Sequence, residues 1–141
     1  MLQVPFTVRS YELDSLGHLN NAVYFSWLED ASFVFLADHG LPFRAFAELG
    51  WYPIVAHARV DYRREILSGD RIVVRGWPLR YGTTSMRLGY RFEREPDGEV
   101  VAEAERVWVF VKTGSGKIPV PEVIRRAFGP ARSTDGDPPP A

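Results

Sequence analysis

The sequence contains no cysteine and carries almost no excess of charge of either sign. Without cysteine, the chain has no disulfide, no thiolate metal site and no cysteine nucleophile. The three histidines are scattered along the chain, so we also expect no metal site. The 17 basic and 18 acidic residues give a net charge of −1, which argues against nucleic acid or an anionic membrane as a partner.

Long hydrophobic runs are also missing from the chain. The apolar run at residues 33–37 is far too short to cross a bilayer. The first residues lack both the charged start and the long apolar stretch of a signal peptide. We therefore expect a cytoplasmic protein.

What the chain does contain is enough apolar material for one core. Its 141 residues are 45% hydrophobic and 13% aromatic, which is typical of a single globular domain. We place that domain over residues 1–130. Residues 131–141 include three consecutive prolines and no large apolar residue, which predicts a flexible C-terminal tail.

The first part of the chain predicts a strand and then a helix. Apolar and polar residues alternate over residues 3–13, as in a half-buried strand. Residues 21–38 are very apolar with few charges, and Gly40 suits the end of a helix there. A helix that is apolar on most sides must be enclosed by other structure. Residues 42–49 predict a short second helix.

Strand patterns occupy most of the remaining chain. We predict four strands in meander-like succession, at residues 52–64, 70–79, 84–95 and 99–112, and a last helical turn or two at residues 121–128. Pro96 and Gly98 are suited to the tight turn of a hairpin. An α+β fold in which one antiparallel sheet curls around one helix satisfies this order. A second copy of the chain would complete the burial of the helix.

The segment that is most informative about function lies just before the long helix. Asp14 is followed by a turn containing Gly17, and then by Asn20 and Asn21, which are well suited to cap a helix. A helix start exposes unpaired N–H groups and a partial positive charge, so it can hold an oxygen that becomes negative. A carboxylate beside it suits the hydrolysis of an acyl compound. Aspartate also commonly stabilises turns, and the residues alone leave both roles open.

The same segment resembles a known family. Its pattern is similar to the signature of hotdog-fold acyl-CoA thioesterases of the 4-hydroxybenzoyl-CoA thioesterase type: Tyr11-x-x-Asp14-x-x-Gly17-His18-x-Asn20-Asn21-x-x-Tyr24-x-x-Trp27. Two weaker stretches, at residues 60–72 and 116–121, also resemble that family. The resemblance covers roughly residues 5–128.

The resemblance implies a hotdog fold whose sheet wraps a central buried helix and continues into a second subunit. It implies a homodimer, often a dimer of dimers, with the acyl thioester at the dimer interface. In this reading Asp14 is the catalytic carboxylate, acting as general base or nucleophile, and the Asn21 backbone N–H faces the thioester carbonyl with Asn20 beside it. Some branches use a carboxylate in the middle of the helix, so Glu29 and Asp30 remain alternatives.

The other candidate residues have a structural reading as well as a functional one. His18 orients Asp14, binds substrate or acts as a base, or else bonds only to the loop backbone. Tyr24 and Trp27 lie one turn apart and line either the acyl pocket or the core. We assign Gly17, Asn20, Tyr24, Trp27, Arg63, Ser85 and Arg87 to substrate binding, with the arginines meeting the phosphates of coenzyme A. Any one of these arginines can equally be a solvated residue of the outer sheet face.

The sequence therefore predicts an acyl-CoA thioesterase that needs no metal or organic cofactor, since coenzyme A is part of the substrate. One alternative is the same hydrolysis on acyl carrier protein. Another is a non-catalytic module that binds acyl-CoA. A hotdog hydratase is a weaker alternative, because the expected Asn-Pro is missing between Asp14 and His18.

Overall fold

The computed structural model of the chain describes residues 1–132. These residues form three helices, α1 (Val23–Asp38), α2 (Ala45–Leu49) and α3 (Glu122–Phe128). They also form strands β1 (Leu2–Thr7), β2 (Trp51–Tyr62), β3 (Arg71–Tyr81), β4 (Ser85–Glu95), β5 (Glu99–Lys112) and β6 (Gly116–Lys117). The predicted flexible tail falls almost wholly on residues 133–141, which lie outside the described residues.

The strands form one antiparallel sheet in the order β1-β3-β4-β5-β2, and β6 pairs with β5. The predicted meander is therefore wrong for β2, which pairs with β5 and not with β3. The chain leaving β2 makes no tight hairpin because it is anchored in the core. Ile66 is fully buried, and its carbonyl oxygen accepts a hydrogen bond from the Leu19 N–H. This connection also brings the end of β2 next to the start of α1.

The helix α1 packs on the inner face of the sheet along one side. Its buried residues join the core with inward-facing residues of the strands, among them Trp27, Leu28, Phe35, Leu88 and Phe110. The opposite side of α1 leaves Phe25, Phe33 and Val34 exposed. The arrangement confirms the predicted α+β hotdog fold, and a single chain encloses the central helix on only one side.

The outer face of the sheet is covered by pairs of arginine and glutamate. Arg87 on β4 contacts Glu105 on β5 at 2.8 Å, and Arg63 contacts Glu103 at the same distance. Further pairs join β3 to β4, including Arg75 with Glu93. Opposite charges across neighbouring strands stabilise a sheet modestly, by about 0.2–1 kcal/mol each. This face is therefore cross-linked by its own ion pairs.

The strand β1 ends earlier than predicted. The strand ends at Thr7, and Ser10–Glu12 form a short 3-10 turn where we predicted strand up to residue 13. Glu12 closes this turn, because its N–H donates to the Arg9 carbonyl and its carboxylate accepts the Arg9 N–H at 2.8 Å. The turn redirects the chain toward the start of α1.

Candidate active site

The loop between β1 and α1 fixes one oxygen of the Asp14 carboxylate. Oδ1 accepts the N–H of Leu16 at 2.9 Å and the N–H of His18 at 3.0 Å. The turn needs glycine at position 17, where φ is +78°. Within residues 1–132, Oδ2 of Asp14 accepts no hydrogen bond. The loop therefore holds the carboxylate in place and leaves one of its oxygens open.

The turn at the start of α1 leaves the Asn21 N–H without an acceptor among residues 1–132. The Asn20 carbonyl accepts the N–H of Val23 at 2.9 Å, and Asn20 Oδ1 accepts the N–H of Ala22 at 2.9 Å. A trans peptide directs its N–H opposite to its carbonyl, so the Asn21 N–H is directed away from this first turn. It has no acceptor in the described part of the chain. The N-cap of α1 is Ala22, so neither predicted cap occupies that position. Asn20 instead accepts the Ala22 N–H in the turn before the helix, and the Asn21 side chain makes no hydrogen bond within residues 1–132.

These groups meet in a cleft of about 280 Å³. The cleft brings together five of the predicted site residues: Asp14, His18, Asn21, Tyr24 and Arg63. The remaining lining residues are Leu19, Tyr62, Arg64, Glu65 and Ile66. Gly17 and Asn20 do not line the cleft but shape the backbone on either side of it. The carboxylate residue Asp14 and the residue Asn21 before the helix thus line one space.

His18 contacts Asp14 through its backbone. Besides its N–H donating to Asp14 Oδ1, its carbonyl accepts the Asp14 N–H at 2.7 Å. The imidazole lines the cleft, and within residues 1–132 it makes no hydrogen bond. The orientation of Asp14 therefore depends on the loop backbone, and a direct role for the imidazole remains a prediction.

Two tyrosines, Tyr24 and Tyr62, also line the cleft. The Tyr24 and Tyr62 rings meet edge to face with centroids 4.8 Å apart. The Tyr62 hydroxyl donates to the Asn21 carbonyl at 3.1 Å. Tyr24 is only 3% exposed, and burial, assisted by the neighbouring Tyr62, raises its pKa to about 12. Both phenols are therefore neutral at physiological pH. Tyr62 was not among the predicted site residues, although it stands in the residue 60–72 stretch that resembles the family.

Trp27, Ser85 and Arg87 do not line the Asp14 cleft. Trp27 stacks on Phe6 and donates its indole N–H to Glu12 at 2.9 Å, in the groove between β1 and α1. Ser85 and Arg87 lie on β4, where Arg87 is paired with Glu105. Arg63 does line the cleft, and its hydrogen bond to Glu103 raises its pKa above the ordinary value. The substrate contacts assigned to these residues remain predictions.

The other candidate carboxylate, Glu29, belongs to a different site. It accepts a hydrogen bond from Arg106 at 2.9 Å and lines an apolar cavity of about 430 Å³ between α1, α2 and β2. Five aromatic residues line this cavity: Phe33, Phe43, Phe46, Tyr52 and Trp108. Asp30 lines neither this cavity nor the Asp14 cleft. The Asp14 cleft therefore contains neither of the carboxylates in the middle of the helix.

Arg106 is a buried cation that our sequence reasoning missed. Only 2% of its surface is exposed, and its guanidinium donates to the Tyr90 hydroxyl, the Ser32 hydroxyl, the Leu28 carbonyl and Glu29. The signal was present in the strand pattern. Arg106 has the same parity as Ala104 and Trp108, so it had to face the core.

Comparison with known proteins identifies the family of this chain. A family model described as the thioesterase-like superfamily matches residues 8–128. The chain belongs to this superfamily. Among its thioesterase relatives is the long-chain acyl-CoA thioesterase FadM of Escherichia coli, 29% identical over 73% of this chain and 77% of FadM. The chloroplastic acyl-acyl carrier protein thioesterase ATL3 of Arabidopsis thaliana is 27% identical over 89% of this chain. The chain spans only 66% of the ATL3 length.

A solved thioesterase structure shows the same fold. The 1,4-dihydroxy-2-naphthoyl-CoA thioesterase from Synechocystis superposes with a TM-score of 0.82, covering 90% of this chain and 94% of its own. Its sequence is 17% identical, so the likeness concerns the fold. No helix among residues 1–132 is long and apolar enough to cross a membrane.

Proposed function

We propose that this chain hydrolyses acyl-CoA thioesters at the Asp14 cleft. The observation that carries the proposal is that Asp14 and Asn21 line the same cleft, and that within residues 1–132 one carboxylate oxygen of Asp14 and the N–H of Asn21 make no hydrogen bond. The Asn21 N–H stabilises the thioester oxygen as it gains negative charge, and removing one such donor typically costs about 2.7–4 kcal/mol. Asp14 either takes a proton from the attacking water or attacks the carbonyl carbon itself. The carbon–sulfur bond then breaks and coenzyme A is released. If water attacks, the carboxylic acid forms directly. If Asp14 attacks, a mixed anhydride of Asp14 and the acyl group forms first, and water hydrolyses it to the carboxylic acid. No metal or organic cofactor takes part in these steps.

The proposal places the chemistry at Asp14 rather than at Glu29. The carboxylate of Glu29 is already paired with Arg106, and it does not line the cleft that contains the Asn21 N–H. The names of two relatives, a long-chain acyl-CoA thioesterase and an acyl-acyl carrier protein thioesterase, support thioester hydrolysis as the reaction class. A cytoplasmic location remains a prediction.

The direct test is release of free thiol from a panel of acyl-CoA substrates with aliphatic chains of increasing length and with aromatic acyl groups. We expect at least one substrate to be turned over at about 1 s⁻¹ or faster. The same acyl groups on acyl carrier protein form the second arm of the panel, and faster turnover there would favour the carrier-protein alternative. Tight acyl-CoA binding without any turnover would contradict hydrolysis and support a non-catalytic binding module.

We also propose that the functional unit is a homodimer joined through β2, with a dimer of dimers as its larger form. β2 is an edge strand of the described sheet and exposes Tyr52, Ile54 and Val55. The apolar cavity adjoins Tyr52 and Val55, whereas the Asp14 cleft adjoins Tyr62. At about 3.3 Å per residue, Tyr52 and Tyr62 are roughly 33 Å apart along the strand. Antiparallel pairing of two β2 edges would therefore place the cavity of one copy near the cleft of the other.

Light scattering on the purified chain tests this assembly. We expect a mass of two or four times the 16.0 kDa of one chain. A charge in the middle of the β2 edge opposes strand pairing, so Ile54→Lys should yield monomers with reduced activity. Leu49→Lys, an equally exposed position on α2, is the matched control and should assemble normally. A monomeric and fully active wild-type chain would contradict the proposal.

A further inference from the structure

The Asn21 N–H can act as a fixed donor only if the backbone on both sides of it is held. The peptide group before it is fixed, because the Asn20 carbonyl accepts the Val23 N–H. The peptide group after it is bonded to the sheet, because the Asn21 carbonyl accepts a hydrogen bond from the Tyr62 hydroxyl at 3.1 Å. Among the hydrogen bonds of residues 1–132, this is the one that ties Asn21 to the sheet. Tyr62 therefore fixes the backbone of Asn21 from a strand 41 residues away.

Tyr62 is itself held in position by the core. The Tyr24 ring meets its ring edge to face, and Tyr24 in turn packs on Phe92, which is fully buried. Tyr62 remains 46% exposed on the side of the cleft. Burial of the remaining part raises the pKa of its phenol, which keeps the hydroxyl protonated and able to donate. The ring is thus supported on one side and open to a bound molecule on the other.

We propose that Tyr62 is a positioning residue for the oxyanion-stabilising step of thioester hydrolysis. The proposal rests on the function proposed above and assigns Tyr62 no bond-making or proton-transfer role. Its hydroxyl holds Asn21 so that the backbone N–H stays directed at the oxygen that gains charge. A preorganised donor acts mainly on the transition state, where the charge develops. Loss of the Tyr62 hydroxyl should therefore lower kcat and leave KM nearly unchanged.

Tyr62→Phe tests this role by removing one oxygen atom. We expect kcat to fall about tenfold, as loss of a single positioning hydrogen bond predicts, with KM within about twofold of wild type. Tyr81→Phe is the matched control, because Tyr81 also donates its hydroxyl to a backbone carbonyl, that of Gly129, at 2.7 Å. Tyr81 does not line the cleft, and its variant should keep the wild-type kcat. A wild-type kcat in Tyr62→Phe, an equal loss in both variants, or failure of Tyr62→Phe to fold would overturn the proposal.

A second variant shows whether Tyr62 acts through Asn21. Asn21→Pro removes the Asn21 N–H in the turn before α1 and keeps the carbonyl that accepts the Tyr62 hydroxyl. Its kcat should fall about a hundredfold, because the donor to the thioester oxygen is lost. In the Asn21→Pro background, adding Tyr62→Phe should cost nothing further. A full additional tenfold loss would show that Tyr62 acts elsewhere.

The outcomes separate this proposal from the proposed function. A wild-type chain that turns over no acyl thioester would overturn the function itself. An active wild-type chain whose kcat is insensitive to Tyr62→Phe would overturn only the role of Tyr62.

Discussion

Asp14→Asn should lower kcat about a thousandfold with little change in the affinity for acyl-CoA. The amide oxygen can still accept the hydrogen bonds of Leu16 and His18, so the loop should stay folded. The open oxygen is replaced by an NH₂ group, which can neither accept a proton from water nor attack a carbonyl. Steady-state thiol release gives kcat, and calorimetry with a non-hydrolysable acyl-CoA thioether gives Kd.

Asp97→Asn is the matched control for this experiment. Asp97 accepts the N–H of Glu99, two residues further on, just as Asp14 accepts that of Leu16, and it lies in the β4–β5 hairpin away from the cleft. Its activity should equal that of wild type. If Asp14→Asn were active and Glu29→Gln inactive, the catalytic carboxylate would be Glu29 in the middle of α1, and the role proposed for Asp14 would be wrong.

An isotope experiment on the wild-type chain detects a nucleophilic Asp14. In a single turnover in H₂¹⁸O, attack of water on the Asp14 carbonyl carbon of the mixed anhydride places ¹⁸O in Asp14 and one of its ¹⁶O atoms in the acid product. A general base, or attack of water on the acyl carbon of the anhydride, leaves Asp14 unlabelled and places ¹⁸O in the product. Mass spectrometry of the acid and of the Asp14 peptide reads both outcomes.

Arg106→Met should lower the free energy of unfolding by about 3 kcal/mol, the largest stability effect that we expect from a single residue here. The methionine fills much of the volume but provides no donor to the Tyr90 hydroxyl, the Leu28 carbonyl or Glu29. Buried polar groups that lose their partners carry a desolvation penalty of about 1–3 kcal/mol. Because half of the Glu29 side chain is exposed, water recovers part of that loss.

Urea denaturation at a fixed protein concentration measures this effect. The control is Arg87→Met, which removes an exposed partner of Glu105 and should cost less than about 1 kcal/mol. If Arg106→Met were as stable as wild type, the buried guanidinium would contribute no net stability, as happens for some buried ion pairs that are replaced by apolar residues.

Local features of the sequence predicted the fold and the central part of the site. The first strand was predicted from apolar alternation, and α1 from a long apolar stretch that ends before Gly40. The strand β5 was predicted with the bounds that the structure shows. Asp14, His18 and Asn21 lie within eight consecutive residues, so a turn followed by a helix start was enough to bring them together. These are contacts that short-range backbone geometry dictates.

The features that the sequence did not predict depend on distant parts of the chain. The pairing of β2 with β5 follows from a connection anchored by Ile66, which no turn motif signals. The contact of Tyr62 with Asn21 crosses 41 residues, and the ion pair of Arg87 with Glu105 depends on strand register. Arg106 was overlooked because an arginine on an inward-facing strand position is acceptable only when other elements supply its acceptors.

The paired charges on the outer sheet face have a consequence for how large acidic molecules meet this protein. Arg63 and Arg75 each pair with their own glutamate, and such a pair has a dipole field that decays within a short distance. Arg59 and Arg87 share Glu105, so most of the positive charge on this face is balanced locally. An acidic carrier protein approaching that face would experience little long-range electrostatic steering. Capture from that side would depend on close contact after random collision.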